Sequence, residues 1–203
     1  MTRVIIFDLG GVVLRGDFMA HMLANAGARL NVSPARIRRV MRSEEGPLER
    51  GEETDVAFWR RVCERLNVTP PSERVLVSLL RHHYATHSKI DPAVRTIIRS
   101  LRRTCTVVAL TNTNKTHTAI NRRRGLFRIF DRAFISCDMG MRKPERRAFL
   151  HIARICKVPR KSLLLIDDDP RWVAAARQHG VPAIRFVSTR RLSRQLRRAG
   201  IVW

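Results

Sequence analysis

Four stretches spread over most of the chain each end an apolar run near a residue suited to phosphoryl chemistry. Val4-Ile5-Ile6-Phe7 runs into Asp8 and then Leu9-Gly10-Gly11. The run 106–110 ends on Thr111-Asn112, and Ala133-Phe134-Ile135 is followed shortly by Lys143-Pro144. Leu163-Leu164-Leu165-Ile166 runs into Asp167-Asp168-Asp169. Continuous apolar runs this short suit central strands of a parallel sheet, buried on both faces. Ligands of open α/β sheets bind outside the carboxyl ends of the strands. If the strands lie parallel, a nucleophilic carboxylate, a hydroxyl, an ammonium and a carboxylate pair therefore share one crevice.

The rest of the pattern supports that arrangement. Glycines at 10 and 11 mark a tight turn close to a ligand or to backbone. From Asp17 to about His87 the periodicity is helical, with Ile37, Val40 and Met41 on one face and Phe58, Val62 and Leu66 on another. Ser33-Pro34 reads as an N-cap and first helical residue. After Asp91-Pro92, a second such pair, strands expected at 106–110, 133–136, 163–166 and 183–187 alternate with helices near 92–101, 115–124, 145–156 and 170–179. Five strands alternating with helices imply a doubly wound, Rossmann-like parallel sheet with right-handed crossovers. The division expected is an α/β core from 1–16 and 89–203, with an all-helical cap at 17–88 inserted after the first strand. The tail 190–198 reads as a basic helix packing Leu192 and Leu196 on the core.

At 203 residues and 44% hydrophobic content the chain can bury a substantial core. No apolar run approaches the roughly 18–20 residues needed to span a bilayer. The N-terminal apolar stretch lacks a signal peptide's layout, so a cytoplasmic protein without a membrane partner is expected. Cys63, Cys105, Cys137 and Cys156 have no zinc-site spacing and read as reduced thiols. The formal charge is +23, with 35 Arg against 5 Lys. The arginines are dispersed and stacking aromatics are few, so specific nucleic-acid binding is not expected. His82, His83 and His87 read as polar surface at the end of the last cap helix.

The residues Phe7-Asp8-Leu9-Gly10, Leu110-Thr111-Asn112-Thr113-Asn114-Lys115-Thr116-His117, Asp138-Met139-Gly140-Met141-Arg142-Lys143-Pro144-Glu145 and Asp167-Asp168 resemble, in order, the four motifs of the haloacid dehalogenase-like hydrolases. With Glu49-Arg50-Gly51-Glu52 in the cap they look like the bacterial α-D-glucose-1-phosphate phosphatase branch. The resemblance implies a Mg²⁺-dependent phosphatase of small phosphorylated metabolites, sugar phosphates among them, acting as a monomer or homodimer. It makes Asp8 the nucleophile that forms an aspartyl-phosphate. Thr111, Asn112 and Lys143 would hold the phosphoryl group, with Gly10, Gly11 and Arg142 also beside phosphate or substrate. Asp8, the Gly10 carbonyl, Asp167 and Asp168 would hold Mg²⁺. Asp169-Pro170 reads as a helix N-cap and N1 pair.

Two departures stand out. Gly10 occupies the position where most such phosphatases carry a second Asp as general acid and base. Trp172 stands where relatives carry Asn or Asp, which orients the metal's outer shell. Three rival readings follow: a metal-independent 2-haloacid dehalogenase, a catalytically weakened binding protein on the same fold, and a basic nucleic-acid-binding protein.

Overall fold

The computed structural model describes residues 3–201. Strand β1 (Val4–Phe7) is followed by a two-residue strand, β2 (Leu14–Arg15). Four helices come next: α1 (Phe18–Leu30), α2 (Pro34–Arg50), α3 (Asp55–Leu66) and α4 (Glu73–His87). Strand β3 (Lys89–Ile90) then returns antiparallel to β2. Beyond it lie α5 (Pro92–Leu101), β4 (Thr106–Thr111), α6 (Lys115–Arg123), β5 (Arg132–Ile135) and a single turn, α7 (Ser136–Met139). The chain closes with α8 (Arg146–Ile155), β6 (Leu163–Asp167), α9 (Pro170–Gln178), β7 (Ala183–Arg185) and α10 (Thr189–Arg198).

The main sheet has the order β5-β4-β1-β6-β7, every pair parallel. β1 is central, and the strand order reverses beside it, so the crevice at its carboxyl end is the place where such sheets take ligands. Side chains alternate across the sheet. Ile5, Phe7, Val107, Ala109, Leu164 and Ile166 face α5 and α10, whose Leu192 and Leu196 are buried as the sequence suggests. Val4, Ile6, Val108, Leu110, Leu163 and Leu165 face Phe149 and Ile152 of α8 and Val173 of α9.

Helices α1–α4 have a core of their own, built on Met22, Ile37, Phe58, Trp59, Val62 and Leu76. The three expected cap-and-proline starts form. Ser33 accepts from Arg36 N, Asp91 from Ala93 N and Val94 N, and Asp169 from Arg171 N, each with Pro in the first turn.

Three details differ from the sequence reading. Strand β5 stops at Ile135, because Ser136 turns its hydroxyl to the Thr113 backbone and begins α7. Strand β7 stops at Arg185, where its partner β6 also ends, at Asp167. The β2–β3 pair is too short to leave a period in the sequence.

Candidate active site

Lys143 is the centre of the crevice and is almost fully buried, 1% exposed. Its Nζ donates to Asp8 Oδ1 at 2.7 Å and to Asp167 Oδ2 at 2.5 Å. Asp8 follows β1 and Asp167 ends β6, neighbouring parallel strands, so the topology alone sets the two carboxylates side by side. The other oxygen of Asp167 accepts from Asp169 N at 3.0 Å. Asp167 is thus bonded through both oxygens, whereas Asp168 stands exposed at the crevice.

The electrostatics are unbalanced. Burial pushes the Asp8 carboxyl up to about 7; Lys143 pulls it down, while Asp167 and Asp168 push it further up. Burial also works against the Lys143 charge, but Asp8 and Asp167 outweigh it and hold the ammonium well above its ordinary range. One ammonium faces three carboxylates. One ligand oxygen from each of Asp8, Asp167 and Asp168 lies within 4.8 Å of the others. An all-oxygen set with excess negative charge is the donor chemistry that suits Mg²⁺.

The glycines have separate causes. A Cβ on Gly11 would sit 2.2 Å from Asp168 Oδ2, and the residue has φ +73. Only glycine lets the Asp168 carboxylate approach so closely. The Gly11 N–H already donates to the Leu14 carbonyl, so Gly11 makes room for Asp168 instead of binding phosphate as expected. A Cβ on Gly10 meets only Asp8 Oδ2, at 3.9 Å. Gly10 therefore leaves open space beside the Asp8 oxygen that Lys143 does not hold.

Thr111 and Asn112 reach the crevice from the end of β4. The Asn112 side chain holds the Lys143 main chain, with Oδ1 accepting from its N–H and Nδ2 donating to its carbonyl. Ser136 does the same for the next residue, accepting from Thr113 N and donating to Thr113 O. Nothing in the sequence singled out Ser136.

A cavity of about 270 Å³ opens above these groups. Asp8, Lys143 and Asp168 form its floor, while Arg42, Glu45 and Glu49 of α2 face them. Trp172 also lines it, beneath the Arg171 guanidinium at 5.1 Å. A second cavity, about 300 Å³, lies on the far side of Gly10, with Phe18, Tyr84 and His117 in its wall. Gly10, Thr111 and Asn112 belong to both.

Arg142 departs from its expected phosphate-binding place. It lines neither cavity; its Nε lies 2.8 Å from Glu49 and its Nη2 3.5 Å from Glu45. It ties the loop after α7 to α2. Burial pushes the Glu49 carboxyl up to about 7; Glu45 and Asp8 push the same way, against Arg142 and Lys143. Glu45 and Glu49 escaped the sequence reading as site residues, although their i, i+4 spacing put both on one helix face.

His117, which follows the second motif, is buried and stacks on Tyr84 at 3.8 Å between ring centroids. Its Nε2 lies 3.1 Å from the Leu80 carbonyl, so its polar edge is turned to α4. His82, His83 and His87 line neither cavity.

Comparison with known proteins gives the family and the fold. Residues 2–180 match a family model described as haloacid dehalogenase-like hydrolase. The drimenol cyclase drtB of Aspergillus calidoustus is 24% identical over 198 residues, 97% of this chain but 36% of that protein. The chain thus spans little more than a third of that relative's length. A HAD family enzyme of Bacteroides thetaiotaomicron, solved with magnesium and inorganic phosphate, is similar with TM-score 0.68 and 18% identity, over 91% of this chain and 94% of that one. The L-2-haloacid dehalogenase of Xanthobacter autotrophicus, solved with chloropropionic acid covalently bound, gives TM-score 0.65 and 18% identity, over 100% and 85% of the two chains. At such identities these structures share the fold.

Proposed function

We propose, from the premise that this chain belongs to the haloacid dehalogenase-like hydrolase family, that it is a Mg²⁺-dependent phosphatase of small phosphorylated metabolites. One observation carries the reading: a single buried ammonium faces three carboxylates whose oxygens lie within 4.8 Å of one another. Attack on carbon needs one such carboxylate. Attack on a phosphoryl group needs a nucleophile and also a cation to offset the phosphoryl oxygens.

In this reading residues 17–88 are a cap over the crevice, and 1–16 with 89–203 are the core. Lys143 holds Asp8 through Oδ1, which leaves Oδ2, on the Gly10 side, to attack phosphorus. The bond to the leaving oxygen breaks as the aspartyl-phosphate forms. Thr111, the Asn112 backbone amide and Lys143 hold the phosphoryl oxygens. Asp8, the Gly10 carbonyl and Asp168 would hold Mg²⁺, with Asp167 behind them. When bound, Mg²⁺ offsets negative charge on the phosphoryl group and the carboxylates.

Gly10 has no side chain to move a proton. Glu49 takes that part from across the cavity, since a carboxyl near 7 both gives and takes protons at neutral pH. It protonates the leaving oxygen, then accepts a proton from the water that splits the aspartyl-phosphate. Arg42, Glu45 and Glu49 offer polar contacts to a hydroxylated leaving group, which fits sugar phosphates.

A metabolite-phosphate screen with and without Mg²⁺, on the wild type and Asp8→Asn, tests this. Mg²⁺-dependent release of phosphate, lost in the folded variant, is expected. Turnover surviving in Asp8→Asn overturns the nucleophile. Gly10 favours one second reading, the dehalogenase, which needs no acid at that position; halide release from a 2-haloacid in the presence of chelator would establish it.

A further inference from the structure

Asp17 stands at the N-cap position of α1, yet its side chain makes no capping hydrogen bond. Its carboxylate turns to two imidazoles instead. Oδ2 lies 3.1 Å from His21 Nε2, and Oδ1 lies 3.4 Å from His87 Nδ1. The His21 and His87 rings stack, with centroids 3.8 Å apart and 18° between planes. His83, one turn before His87 on α4, stacks on both, at 6.4 Å from His21 and 6.1 Å from His87. Its Nδ1 is buried without a hydrogen-bond partner. One ligand atom from each of Asp17, His21 and His87 lies within 4.8 Å of the other two.

We propose that Asp17, His21 and His87, with His83 stacked beside them, form a binding site for a divalent transition-metal ion of the zinc, nickel or copper class. Donor chemistry gives the class. Imidazole nitrogens with one carboxylate suit these borderline ions, whereas Mg²⁺ favours oxygen alone. The crevice at Asp8 and this cluster therefore select different cations. Asp17 and His21 keep 66% and 46% of their side chains exposed, so the ion reaches them from solvent.

The placement has a structural meaning. Asp17 lies two residues beyond β2, and His87 lies two residues before β3. A bound ion ties α1 to α4 where the helical segment joins the sheet. Protons compete for the same nitrogens. His82, His87 and His21 all act on His83, and Asp17 faces His21 and His87. Acid therefore weakens binding, because only the neutral ring is a ligand. The chain's formal charge of +23 also opposes a cation, which sets a modest affinity.

The test is calorimetric titration of Zn²⁺ into chelator-stripped protein with excess Mg²⁺ present, at neutral pH. One equivalent of Zn²⁺ is expected to bind, with protons released at mildly acidic pH and a raised unfolding temperature. The double variant His21→Ala/His87→Ala should lose more than about tenfold in affinity, the loss that removing even an outer-shell partner produces. Asp8→Asn should bind Zn²⁺ as the wild type does. Circular dichroism of the metal-free proteins keeps the comparison at constant fold. Equal Zn²⁺ affinity in the double variant, or no binding by the wild type, overturns the site.

Discussion

The side-chain amide of Asn112 spans the main chain of Lys143, accepting from its N–H at 2.8 Å and donating to its carbonyl at 2.9 Å. The residue that follows β4 thereby fixes the backbone from which the central ammonium reaches Asp8 and Asp167.

Asn112→Ala should lower kcat by about 10²-fold, because small misplacements of a catalytic group cost that much. The fold should survive, since each lost bond is worth about 1 kcal/mol. Asn112→Asp keeps the acceptor and loses the donor, so its rate should fall between the two. Unchanged turnover in Asn112→Ala, with native circular dichroism, would show that Lys143 holds its place without this brace.

Glu49→Gln should slow hydrolysis of esters with poor leaving groups by about 10²–10⁴-fold and spare good ones, since only the former need protonation. Its rate profile should lose the Glu49 limb near pH 7 and keep that of Asp8. Position 10 has room for a carboxylate, so Gly10→Asp in the Glu49→Gln background should restore the slow substrates. Equal losses on both kinds of ester would remove Glu49 from the proton path.

Asp168 and Asp169 are adjacent but should behave differently. Asp168→Ala should weaken Mg²⁺ activation strongly. Asp169 caps α9 through Arg171 N and pairs with the Arg171 guanidinium. Asp169→Ala should cost about 1 kcal/mol of stability and leave most of the activity. Mg²⁺ titrations of turnover, with thermal melts, separate the two; equal losses of Mg²⁺ response would contradict the assignment.

His117 should make stability fall with acid. Burial depresses it to about 4, helped by Arg124 and opposed by its contact with Leu80, whereas the unfolded residue titrates near 6.5. Between those values the unfolded chain binds the proton and the folded chain does not, so stability is full above the unfolded value and declines as pH falls towards 4. The loss is on the order of 3 kcal/mol. Urea melts across this range should show a shallower pH slope in His117→Phe than in the wild type. Identical slopes would mean that His117 titrates normally in the fold.

Much of this molecule was legible because its strands are short and apolar. Val4 to Phe7 and Leu163 to Ile166 allow little but buried parallel strands, and their ends carry Asp8 and Asp167. The proline-marked starts at Pro34, Pro92 and Pro170 were equally plain, because an N-cap and a missing N–H are local matters. Contacts across long separations were not. Arg142 meets Glu49 only because α2 folds over the loop after α7, and no periodicity encodes that pairing. Asp17 and His21 lie far from His87 in the chain, so no periodicity joins the two helix ends that build the cluster. The family resemblance puts Gly11 beside phosphate, and a glycine at a strand end gives by itself no hint of which atom needs the space.

Helix α6 grips α4 along one face: His117 reaches the Leu80 carbonyl, Asn121 donates to the Tyr84 hydroxyl, and Arg124 binds the Tyr84, Ala85 and Ser88 carbonyls. Most of that seam is buried and aromatic. The opposite seam, where α2 meets the core, is made of the pairs Arg142–Glu49, Arg142–Glu45 and Arg50–Glu145. The two seams thus differ in kind: a stacked His117–Tyr84 pair and hydrogen bonds on one side, ion pairs on the other.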